Sequence, residues 1–163
     1  MKKTYKILAV LNIIILLCSC TAEPKCDLIE FCRRANRRSE IEIDSSAYYL
    51  NAENEYCYFL QVGASDCILT LTTDDESCVN ELRLTAVNDG AGIDGAALFD
   101  YYLTLCSVLT NVGNDELKEL FAKNGITETC ITFADNSCEI EGERFSCFIY
   151  TQQQLVSLCC TAT

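Results

Sequence analysis

The sequence predicts an α+β domain: antiparallel sheet with helices packed on one face. Two observations carry that expectation. Apolar residues recur at helical spacing in one segment near the start and in a pair near the middle, while the runs between and after them alternate apolar and polar with a period of two. Those alternating runs are joined by short polar turns, as in hairpins with one wet face.

The first helix is expected over Asp27–Arg38, where Leu28, Phe31, Cys32 and Ala35 share a face. From Ile41 the period changes to two. Ala47–Leu50 and Glu55–Gln61 flank the turn Asn51-Ala52-Glu53-Asn54, and Cys67–Thr72 and Val79–Val87 flank Thr73-Asp74-Asp75-Glu76-Ser77. In the second pair Leu69 and Leu71 take the side of Leu82 and Leu84, with Thr70, Thr72, Glu81 and Arg83 on the other. After Gly95 one stripe of Leu98, Tyr102, Leu105, Leu109 and Val112 marks a second helix, broken at Gly113. Asn114 is placed as the N-cap of a third, with Asp115 and Glu116 in its first turn and Gly125 at its end. Strands then resume at Thr127–Ala134, Cys138–Glu141, Arg144–Tyr150 and Leu155–Thr161.

With Gly142-Glu143 as a two-residue turn, Glu141 faces Arg144, Ile140 faces Phe145 and Cys138 faces Cys147. That opposition makes Cys138 and Cys147 the disulfide candidate, with packed thiols as the alternative. The element order resembles the helix-plus-sheet tandem of β-lactamase inhibitory proteins and the TATA-box-binding-like fold, which implies two related α/β halves.

Upstream of the domain, Lys2, Lys3 and Lys6 precede the apolar run Ile7–Leu17, too short for a permanent span. Leu17-Cys18-Ser19-Cys20 follows and resembles the lipobox of bacterial lipoproteins. The resemblance implies a signal peptide over 1–19, a diacylglycerol- and palmitate-bearing Cys20, a tether over 20–25 and one domain over 26–163. It places the chain in the cell envelope, on the outer face of the cytoplasmic membrane or the periplasmic face in a Gram-negative cell. Plain secretion with cleavage after Ala22 is the alternative.

Cleavage leaves 163 − 19 = 144 residues. It removes three of 12 basic residues and none of 24 acidic ones, so net charge moves from −12 to 9 − 24 = −15. Nucleic acid would be repelled by such a body. Lys25, Arg33, Arg34, Arg37 and Arg38 cluster near the anchor, as a collar for anionic lipid or as a solvated helix face. Of 13 Cys, eleven remain beyond Cys18 and Cys20, an odd number; most fall in phase with apolar neighbours and read as core thiols.

Gly90-Ala91-Gly92-Ile93-Asp94-Gly95 spells G-x-G-x-x-G. A dinucleotide loop, however, follows a buried parallel strand and opens a helix onto pyrophosphate. Here the preceding strand alternates, Asp89 and Asp94 would repel phosphate, and a second helix follows the first. The expected role is a crossover, with no nucleotide and no cofactor. With no His and no C-x-x-C, the chain lacks imidazole nucleophile pairs and the usual zinc spacing, so no metal and no catalytic residue is assigned. The remaining candidates are surfaces: Tyr48, Tyr49, Tyr56 and Tyr58 in the first hairpin, and Asp89 with Asp94 at the crossover. The expected function is a binding module for an envelope protein or glycan. The alternatives are an envelope hydrolase using Asp/Glu carboxylates and an inhibitor of a secreted enzyme.

Overall fold

The structure, a computed structural model, describes residues 26–87, 92–127, 136–152 and 155–163, with the backbone alone at 136–138. Helix α1 (Leu28–Arg38) starts where the Asp27 side chain accepts the Glu30 N–H at 2.8 Å. Glu30 in turn holds Arg33 and Arg34. Phe31, Cys32 and Ala35 form its buried face. The Asn36 side chain then grips both backbone groups of Ile43 and leads the chain toward the sheet.

Strands β1 (Tyr49–Leu50), β2 (Tyr56–Val62), β3 (Ser65–Thr73) and β4 (Val79–Val87) follow as an antiparallel meander. Next come helices α2 (Gly95–Thr110) and α3 (Asn114–Lys123), and then β5 (Asn136–Glu141), β6 (Phe145–Gln152) and β7 (Leu155–Ala162). All seven strands form one sheet in the order β1-β2-β3-β4-β7-β6-β5. The expected strand over Thr127–Ala134 lies, beyond Thr127, outside the described residues.

The order is a mirror: each half contributes a meander, and the last strands of the halves, β4 and β7, pair at the centre. Their inward residues match row by row, Leu82 with Cys160, Leu84 with Leu158 and Ala86 with Val156, all buried. Leu69 and Leu71 extend the same rows through β3, as their alternation predicts.

Helix α2 differs from its expected single stripe. Thirteen of its 16 residues are buried, so it is an interior helix, apolar on most of its circumference. It lies against β2, β4 and β7 on one side and touches both other helices. Arg38 of α1 reaches Ser107 at 2.8 Å, and Phe121 of α3 meets Phe99 and Tyr102 edge-on.

Two local expectations are corrected. Gly113, not Asn114, caps α3; the Asn114 amide turns back to the Thr104 hydroxyl on α2 instead. The β5–β6 turn falls at Glu143-Arg144, one residue later than expected, so Cys147 faces Ile140 and Cys138 faces Ile149. The physical reason is Phe145, whose ring covers the bare Cα of Gly142; a Cβ there would come within 2.4 Å of it. The Gly142 N–H donates to the Phe145 carbonyl at 2.8 Å and fixes that pair.

Candidate functional site

The helices cover one face of the sheet, and alternation along each strand decides what the other face presents. One outward row runs Tyr49, Cys57, Thr70, Arg83, Cys159, Phe148 and Glu139 across the seven strands. The next carries Phe59, Ile68, Thr85, Ser157 and Tyr150. Phe59 is 74% exposed, Phe148 44% and Tyr49 40%. Tyr49 stacks on Phe59 with ring centroids 5.2 Å apart. Hydroxyls of Thr, Ser and Tyr fill much of the space between.

At one end of this face stands Glu55, the only buried acid among the described residues. Asn51 donates to its carboxylate at 2.7 Å and Thr72 at 3.1 Å, and Arg83 lies 4.0 Å away while bridging Glu81 at 3.3 Å. Every contact braces the turn before β2 against its neighbours. The carboxylate's partners are structural donors of the same hairpin and its neighbours.

The four hairpin tyrosines do not form one surface. Tyr49 belongs to the bare face. Tyr48 meets Tyr56 and Tyr58 edge-on at the helix-covered side, with centroids 5.0 and 6.2 Å away. Tyr58 is buried there and accepts from the Cys32 thiol at 3.9 Å; burial holds its hydroxyl well above the ordinary phenol range. Sequence alternation separates Tyr48 from Tyr49 but does not tell which pair faces the helices.

Asp94 is structural. Its carboxylate accepts the Ala97 N–H at 3.1 Å, its own N–H donates to the Ser65 hydroxyl, and it abuts Gly63. The start of α2 is thus occupied by its own carboxylate, where a phosphate would need to sit. Asp89 lies outside the described residues, as do Cys20 and Lys25. Of the basic collar, Arg33 and Arg34 are held by Glu30, and Arg38 by Ser107.

The premise of a Cys138–Cys147 bond, direct opposition, does not hold in the observed register. Cys147 is a free thiol, directly opposite Cys160 of β7 and beneath Cys106 of α2. The three sulfurs lie within 4.8 Å of one another, and all three residues are fully buried. The neighbouring Cys106 and Cys160 thiols, as donors toward its sulfur, draw the Cys147 thiol below the ordinary range, while Cys106 is pushed up by burial. Tyr102, one turn before Cys106, donates its hydroxyl to the Cys159 carbonyl at 2.5 Å and closes the remaining side. No spacing motif announces this trio; only their inward phase on α2, β6 and β7 hints at it, and strand pairing supplies the rest.

Beside α1 a cavity of about 180 Å³ is lined by Cys26, Arg34, Asp74, Asn80, Asn111 and Thr163 among others. It is smaller than a pocket for a drug-sized ligand. No family model, curated protein or solved structure matches this chain.

Proposed function

We propose that the chain is an envelope lipoprotein, anchored through lipid on Cys20 to the outer side of a bacterial membrane, that works by binding a protein or glycan of the envelope. The observation supporting a binding role is the bare face of the sheet. Exposed Phe59, Tyr49 and Phe148 stand there among hydroxyls on a seven-stranded platform whose other face packs against the helices. Aromatic side chains on such a platform provide contact area at small entropic cost, and the hydroxyls between them offer hydrogen bonds to peptide or sugar. The formal charge of −12 disfavours nucleic acid.

The experiment compares the wild-type lipoprotein with a variant carrying Tyr49→Ser, Phe59→Ser and Phe148→Ser, each cross-linked in intact cells. A defined adduct in the wild type that the variant loses, with unchanged circular dichroism, is the expected result. An identical adduct pattern from both removes the sheet face from the interaction. The anchor is tested separately by mass spectrometry of residue 20: diacylglyceryl on Cys20 is expected, and a leader-bearing chain with a free thiol there refutes it.

A further inference from the structure

We propose that Cys106, Cys147 and Cys160 form a buried three-sulfur site for a trivalent, thiophilic metalloid of the arsenite type. The first argument is geometric. Three sulfurs from three different elements converge within 4.8 Å of one another, and three thiolates at bonds of about 2.3 Å on a pyramidal trivalent centre stand roughly 3.5 Å apart. Small side-chain rotations close the difference.

The second argument is coordination number. Tetrahedral zinc needs a fourth donor. The Tyr102 hydroxyl beside them donates to the Cys159 carbonyl at 2.5 Å, and burial keeps it a protonated phenol, a poor ligand. A three-coordinate ion is satisfied by the sulfurs alone.

The third argument is charge. Among the described residues the only buried charged side chain is Glu55, on the opposite face of the sheet, so no buried cation is present to balance an anionic complex. Uncompensated charge in such an interior is strongly disfavoured. Three thiolates on Zn(II) leave one negative charge, and on Cu(I) two. On As(III) they leave none. The exchange is balanced: As(OH)3 and three thiols give As(S-Cys)3 and three waters, with three As–O bonds broken, three As–S bonds formed and arsenic unchanged in oxidation state. Each thiol proton leaves in a water molecule, so the filled site is neutral and apolar outside, like the core that surrounds it.

The test uses the full 163-residue chain in detergent, reduced and titrated with arsenite under anaerobic conditions. Expected is one tightly held equivalent whose arsenic X-ray absorption shows three sulfur neighbours and no oxygen, together with an arsenite-dependent rise in melting temperature. Replacing any one of the trio by Ser should weaken binding by about tenfold or more. Cys26→Ser with Cys32→Ser should leave the three-sulfur signal intact. Absorption showing two sulfurs and an oxygen overturns the proposal even if the single variants fail to fold. Retention of the three-sulfur signal after triple replacement, displacement of arsenite by equimolar Zn(II), or a Cys147–Cys160 disulfide in the protein as purified overturns it equally.

Discussion

At the scale of single residues, the most demanding contact joins a turn to a helix start. Gly63 has φ +59°, and a Cβ on it would stand 2.4 Å from an Asp94 carboxylate oxygen. Gly63→Ala is therefore expected to cost on the order of 1–3 kcal/mol in urea unfolding. Asp94→Ala should cost about 1 kcal/mol through the lost cap. Made together they should cost less than the sum, because the first clash disappears with the carboxylate; strict additivity would refute the contact. A second prediction concerns alkali. Burial pushes the Cys67 thiol from 9.0 to about 11, with Asp66 adding to the effect, and burial raises Tyr58 and Tyr101 in the same direction. The unfolded thiol ionises first, so its contribution to stability is fully present below pH 9 and is lost as pH rises toward 11. The urea midpoint should fall over that window, and Cys67→Ala should flatten part of the fall. Cys67 was legible as a core thiol from its phase with Leu69 and Leu71. Asp94, expected only as part of a binding surface, also caps α2 through Ala97, and its contacts to Ser65 and Gly63 were beyond local reading because both lie far off in sequence.

At the scale of elements, periodicity located α1, the first two hairpins and β7 to within a residue or two, since each has one wet side that breaks the pattern. Helix α2 was less legible. Its stripe of Leu98, Tyr102, Leu105 and Leu109 is real, but Phe99, Leu103 and Val108 are buried as well, and only packing between the sheet and two helices explains that. Leu105→Ala should accordingly cost about 2–5 kcal/mol, measured by denaturant midpoint. A surface-helix cost well below 1 kcal/mol would place α2 elsewhere. The β5–β6 register was not legible because Gly142 fits two turns equally by residue type, and the choice rests on where the Phe145 ring lies. Gly142→Ala should destabilise this hairpin, and Phe145→Ala in that background should relieve the clash.

At the scale of the molecule, the α+β class with helices on one face followed from the alternation of periods. The mirrored order could not be derived, because no local pattern says that β7 pairs with β4. The β6–β7 pair sets Cys147 against Cys160 and α2 adds Cys106, while the β4–β7 pairing aligns the outward rows of the two halves. It also bears on when the protein can become itself. Ribosomes make β7 last of the seven strands, and until then two leaflets hang apart with open edges along β4 and β6. A chain stopped before Leu155 should lack a cooperative melt altogether rather than lose a fraction of it, as scanning calorimetry would show. A polypeptide that locks only once β7 is made stays threadable until then.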